Sequence, residues 1–169
     1  MRSPFQVRPG NLWAGSGGIL AAESMSAELV QLVRKGYEAW NSGDRSWVLE
    51  HMAEDVKWIT PPDDPDPGTY EGHAGIERYW SQWRAAVGQL NFLIEEILDA
   101  GNAVVVVARR QGRGEHSGLE ISDRIIQVFH FDDEAKCSEV YEYYDRNAAL
   151  SAVGGVGAAG VTRPAAEAG

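Results

Sequence analysis

A single cysteine, Cys137, leaves no intrachain disulfide to form and points to a reducing, cytoplasmic setting. No cysteine-protease pattern surrounds it, so it is not expected to act as a nucleophile. Long hydrophobic runs are also lacking: nothing approaches the ~20 apolar residues that span a bilayer. Lysines and arginines form no cluster, and the formal charge is −10, which argues against nucleic-acid and anionic-membrane surfaces. The four histidines, His51, His73, His116 and His130, stand at no metal-ligand spacing to each other or to Cys or Glu. No metal and no cofactor is therefore expected, and His73 reads as a capping or packing residue. No serine sits in a nucleophile elbow. The glycines of Gln111-Gly-Arg-Gly114 do not lead from a strand into a helix, which excludes a phosphate cradle.

What is present suits one globular domain: 169 residues, 44% hydrophobic and 24% charged. Residues 1–25 are expected to be a disordered N-terminal extension. Glycines interrupt the loosely apolar Leu12–Ala22, no small-residue cleavage site follows, and Met25-Ser-Ala reads as a natural start. The folded domain is expected over 26–153. The Gly/Ala-rich residues 154–169 are expected to be a disordered tail.

Within the domain, Leu29, Leu32, Val33, Gly36, Tyr37 and Trp40 fall on one helical stripe. Asn41-Ser-Gly-Asp44 ends that helix, with Gly43 suited to a left-handed position and Asp44 to capping a second, short helix. After Asp55 the period changes to two, and Val56, Trp58 and Thr60 define a strand. Four prolines within 61–69 dictate an extended loop, whose three aspartates read as turn chemistry. Ile76, Tyr79, Trp80, Trp83 and Val87 mark a third helix over His73–Val87. Four strands follow: Asn91–Asp99, Ala103–Arg110, Leu119–Phe131 and Lys136–Asp145. Helices preceding an antiparallel meander give an α+β fold with the helices on one face of the sheet.

Polar residues embedded in apolar strands are the candidate site: Thr60, Arg109, Gln111, Gln127 and Glu142. Such residues line a pocket or form a hydrogen-bonded structural network. The last strand, Glu139-Val-Tyr-Glu-Tyr-Tyr-Asp145, carries the sharpest signal. Its alternation sets Val140, Glu142 and Tyr144 on one face, and Tyr141 and Tyr143 on the other. If the first face is interior, Glu142 is a buried acid in need of a partner or a task. If it is exterior, Asp145 inherits the role.

The phrases GYEAWNSGD (36–44), MAEDVKW (52–58), YEGHAGIERYW (70–80) and VYEYYD (140–145) resemble the SnoaL-like polyketide cyclase family of the nuclear transport factor two-like superfamily. The resemblance spans roughly Ser26 to Gly154. It implies a cone-shaped, strongly curved mixed or antiparallel sheet wrapped by three N-terminal helices, holding a small apolar ligand at its open end. It also implies a homodimer through the outer sheet face, with Tyr141 and Tyr143 toward the partner. Isomerase members place a base aspartate, an oxyanion tyrosine and a protonated aspartate where this chain has Thr60, Gly36 and Gln127. Ketosteroid isomerisation is therefore not expected, because threonine cannot accept a carbon-acid proton as a carboxylate does. The epoxide-hydrolase pattern falls on Arg109, Gln111 and Glu142, keeping the arginine and one acid.

Two functions are consistent with these residues. One is a cofactor-free acid–base enzyme of cyclase, isomerase or hydrolase type, acting on a small apolar carbonyl or cyclic compound. Glu142 and Arg109 would be catalytic, and Tyr37, Trp58, Thr60, Trp80, Trp83, Gln111, Gln127, Phe129 and Tyr144 would line the pocket. The other is a non-catalytic ligand-binding or dimerisation module, with Arg109 and Glu142 as a structural ion pair.

Overall fold

The computed structural model describes residues 16–154 and 161–162. Helix α1 (Ser16–Ser42) and the short α2 (Arg45–Glu50) precede strand β1 (Met52–Ile59) and the three-residue β2 (Thr69–Glu71). Helix α3 (Gly72–Val87) leads into β3 (Asn91–Asp99), β4 (Ala103–Arg113), β5 (Glu120–Phe131) and β6 (Cys137–Tyr143). A fourth helix, α4 (Arg146–Ala152), and a two-residue strand, β7 (Val161–Thr162), complete the described chain. Among the described residues, no helix is long and apolar enough to cross a membrane.

The strands form one open sheet in the order β2-β1-β6-β5-β4-β3-β7. All neighbours are antiparallel except β1 and β6. The β3–β6 meander thus matches the sequence expectation, and its last strand returns to lie beside the first. Register shifts interrupt the pairing at Met52/Lys57, Ile94/Glu96 and His130/Phe131. Each shift bends and twists the strands locally, curving the sheet around the helices.

Helix α1 buries Leu29, Val33 and Tyr37, spaced i, i+4, i+8, against Ile97, Val104, Val106, Ala108 and Ile125. Its C-terminal end is pinned to β3. Asn41 Nδ2 donates to Phe92 O (2.8 Å), Phe92 N donates to Asn41 Oδ1 (2.9 Å), and Trp40 Nε1 donates to Leu90 O (2.6 Å). Gly43 then takes φ +87°, and Asp44 caps α2 by accepting from Trp47 N (3.0 Å). Helix α3 lays Ile76, Tyr79 and Trp80 on β1, beside Val56, Trp58 and Val140. The glycine-bearing β4–β5 loop seats on the end of α3. A Cβ at Gly114 would stand 2.5 Å from Ala86 O, an approach open only to glycine.

Three expectations need correction. Helix α1 starts at Ser16, so residues 16–25 of the expected disordered extension are helical, while residues 1–15 lie outside the described residues. Of the expected tail, Val161–Thr162 pairs with β3, and the rest beyond Gly154 lies outside the described residues. The three expected helices share one face of the sheet, but a fourth helix was not anticipated. Helix α4 covers the opposite side of the sheet, where Ala149 is buried with Leu98, Val105, Val107, Ile126 and Val128. Tyr141 and Tyr143 are half-buried beside Leu150 and Val153 in that same cluster, rather than standing free. A short alanine-rich helix has little periodic signature of its own. Here tertiary burial and the Asp145 cap, accepting from Ala148 N at 2.7 Å, supply its stability.

Candidate active site around Glu142

The concave side of the sheet, roofed by α1, α2 and α3, encloses an apolar cavity of about 100 Å³. Trp58, Trp80, Trp83, Phe129, Tyr37 and Leu90 contribute to its wall, and Glu142, Gln127, Tyr79, Arg110 and His51 are among its polar members. Cross-strand register builds the floor. Trp58, Val140 and Phe129 are in register across β1, β6 and β5, and Glu142 stands directly opposite Gln127 in the neighbouring row. The β6 parity is therefore Val140 and Glu142 inward.

Glu142 is buried (5% exposed), and each carboxylate oxygen has a protein donor. Gln127 Nε2 donates to Oε1 at 2.8 Å, and the Tyr79 hydroxyl donates to Oε2 at 3.0 Å. Tyr37 extends the chain by donating its own hydroxyl to Gln127 Oε1. Burial raises the Glu142 pKa. The Gln127 bond, the Arg110 charge and the Tyr79 bond pull it back only in part. The result is an acid favouring its neutral form above the ordinary carboxylate range. Burial, with the Glu142 charge second, also raises the Tyr37 and Tyr79 phenols, so both stay protonated donors.

Arg110 is the cation of this site. It is 3% exposed, makes a bidentate pair with Asp123 (3.0 and 2.7 Å), and lies 4.8 Å above the Trp83 ring. Burial disfavours its charge, but the bonds to Asp123 and Tyr144 more than offset that, and its pKa rises. Arg110 and Asp123 are cross-strand partners in β4 and β5, which is why they meet.

The expected Arg109 is one residue off. It points to the other face of β4, where it bonds Glu95 (3.0 Å) and is 43% exposed. Glu95 sits in the β3 register shift and also receives Arg124, the residue opposite Arg109. Two like charges facing each other across the strands thus share one carboxylate, which offsets their repulsion. Gln111 shares that outward parity and is exposed, away from the cavity. Thr60 is buried but closes the proline loop: its hydroxyl accepts from Gly68 N (2.8 Å) and lies 3.2 Å from Asp66 O and Gly68 O. Tyr144 lies past the end of β6, 39% exposed, and donates to Asp64 Oδ2 at 2.9 Å instead of lining the cavity. Tyr37, Trp58, Trp80, Trp83, Gln127, Phe129 and Glu142 do converge. Sequence reasoning missed Tyr79 and Arg110. Tyr79 was visible as the residue on the α3 stripe that combines an apolar body with a polar tip.

Cys137 also borders the cavity, but burial pushes its thiol up to about 12, so it stays protonated and inert. His51 bonds Trp47 O (2.7 Å) and stacks on the Trp47 ring, and His73 contacts Met52 O (3.3 Å). Among the described residues, no group of His, Cys, Asp or Glu gathers in a form that holds a metal.

The family model of the SnoaL-like domain matches residues 33–140, more than half of the chain. The chain belongs to the SnoaL-like domain family. Comparison with solved structures gives the same fold. TerC, co-crystallised with polyporic acid, is 21% identical with a TM-score of 0.61, over 75% of this chain and 98% of that one. An NTF2-like protein from Burkholderia thailandensis E264 is 22% identical with a TM-score of 0.63, over 73% and 95%. SalBIII, an epoxide hydrolase/cyclase-like enzyme of pyran ring formation in salinomycin, is 16% identical with a TM-score of 0.58, over 74% and 94%. A search of curated proteins found no match.

Proposed function

We propose that this SnoaL-like domain is a cofactor-independent acid–base enzyme, of the cyclase, isomerase or hydrolase type, acting on a small apolar carbonyl or cyclic compound. The observation that carries this reading is Glu142: a buried carboxyl with a raised pKa in the floor of a largely apolar cavity. A carboxyl whose neutral form is favoured by burial donates to a ring or carbonyl oxygen when neutral and accepts a proton when ionised. Arg110, rather than Arg109, is the cation that stabilises its ionised form. Tyr79 and Gln127 orient the carboxyl, and the indole and phenyl walls exclude water. SalBIII, described as epoxide hydrolase/cyclase-like, and TerC, co-crystallised with polyporic acid, lend support through shared fold.

A second reading has its own observation. Both Glu142 oxygens already have protein donors, as in a structural network of a non-catalytic ligand-binding module. Incubating the protein with cyclic ketones and epoxides, with products read by mass spectrometry, separates the two. Glu142→Gln is expected to lower turnover by about 10²–10⁴ with an intact fold. Full turnover in that variant removes Glu142 from the mechanism, and binding without turnover by the wild-type protein favours the module. A homodimer through the sheet surface beside α4 is part of the proposal, and light scattering of the purified chain tests it.

A further inference from the structure

The hydrogen-bond inventory of the cavity is unbalanced in one direction. Glu142, Gln127 and Tyr37 satisfy one another, and Tyr79 donates to Glu142. Two buried donors are left over: Trp58 Nε1 and Trp80 Nε1 have no hydrogen-bond partner among the described residues. Both residues are more than nine-tenths buried, at 7% and 9% exposed, and both line the cavity. Buried indole N–H groups nearly always find an acceptor, because leaving one unpaired sacrifices its bond to water without replacement. An isolated case is a packing defect. Two on neighbouring rings of one cavity wall form a pattern.

The rings are adjacent and perpendicular, with centroids 6.3 Å apart and planes at 89°. Trp58 lies 6.0 Å from the Tyr79 ring, whose hydroxyl holds Glu142. Trp58 thus packs beside the ring whose hydroxyl holds Glu142, and Trp80 packs beside Trp58 in the same cavity wall. They come from different elements, β1 and α3, so no local chain geometry accounts for both.

We propose that Trp58 and Trp80 are the polar recognition element of this cavity, pairing their indole N–H groups with an acceptor oxygen of the ligand, such as a carbonyl or enolate. The inference rests on the cavity being a ligand site, as read above, and adds what the ligand must carry there. A carbonyl oxygen has two lone pairs and accepts from two donors at once. A ligand group with no lone pair to offer at that point, such as an ammonium or a hydrocarbon, would leave both indoles unpaired and is disfavoured against a ketone. Where an enolate forms, the same two donors strengthen as charge grows on oxygen, while Glu142 carries the proton.

The test uses acetophenone and α-methylstyrene, two probes of nearly the same shape that differ by C=O against C=CH₂. Binding is read on the ¹⁵N-labelled protein from the indole N–H resonances, assigned by their loss in Trp58→Phe and Trp80→Phe. Acetophenone is expected to shift both indole signals and to bind about tenfold more tightly than the alkene. Each Phe variant is expected to shrink that ratio while weakening the alkene only as the lost ring area requires. Equal binding of the two probes, or tighter acetophenone binding with both indole signals unmoved, overturns the inference and leaves the cavity reading standing. Equal binding is also the outcome if the donors serve only ordered water. If neither probe moves any cavity resonance, the cavity reading and the inference fall together. If a Phe variant fails to fold, the ratio of acetophenone to alkene binding by the wild-type protein still decides the question.

Discussion

Tyr79, on a helix, and Glu142, on a strand 63 residues later, meet in the interior with hydroxyl and carboxylate oxygen 3.0 Å apart. The bond ties α3 to β6 and holds the carboxyl in one orientation. Because it favours the ionised form, Tyr79→Phe is expected to raise the Glu142 pKa further and to destabilise the fold by about 1–3 kcal/mol. Urea unfolding measures the second effect, and a carboxyl-carbon NMR titration the first. A titration midpoint that stays put or falls would refute the orienting role.

Arg110 and Arg109 are adjacent in sequence and opposite in consequence. Arg110→Met breaks a buried bidentate pair whose partner, Asp123, is 40% exposed. The expected cost is about 1–3 kcal/mol, below that of a wholly buried pair because Asp123 regains solvent. The Glu142 pKa is expected to rise as the nearby positive charge disappears. Arg109→Met, on a half-exposed pair, is expected to cost no more than about 1 kcal/mol and to leave Glu142 untouched. Equal losses in the two variants would contradict the assigned parity of β4.

Stability should carry the signature of Glu142. Its folded pKa lies above the ordinary 4.5, so between 4.5 and the raised value the native state holds a proton that the unfolded chain has released. Stability from this group is full below 4.5 and falls as pH rises through the folded pKa. In Glu142→Gln this component is absent, and the difference between wild-type and variant unfolding free energies should change across that window. Parallel pH profiles for the two proteins would show that Glu142 titrates normally.

Asp145, the alternative acid on the last strand, is assigned a capping role by its bond to Ala148 N. Asp145→Ala is expected to cost about 1 kcal/mol, typical of a lost helix cap, with no effect on binding in the cavity. A variant of unchanged stability that no longer binds acetophenone would return Asp145 to the site.

The helix and strand identities were legible because burial imposes a period on each. The α1 and α3 stripes, the cap at Asp44 and all four meander strands follow from it, as does Glu142 sharing one face of β6 with Val140, but not which face of that strand is the inner one. The same logic was silent for β4. Val104, Val105, Val106 and Val107 are all buried, one pair under α1 and the other under α4, so no alternation marked which arginine faced inward. Helix α4 caused that ambiguity and left only a faint trace in sequence. Thr60 and Tyr144 were misplaced for a related reason. Each lies where a strand ends, and a loop bond redirects its side chain away from the face that period two assigns.

By itself, then, the sequence determined an α+β domain with a helical roof and an acid embedded in an apolar strand, because those features depend on local periodicity. Only the tertiary structure decided that acid's company. Tyr79, Gln127 and Arg110 reach Glu142 from a helix and two neighbouring strands. Which of them arrive is fixed by strand register and by what covers the far face of the sheet, and neither is encoded within any one segment.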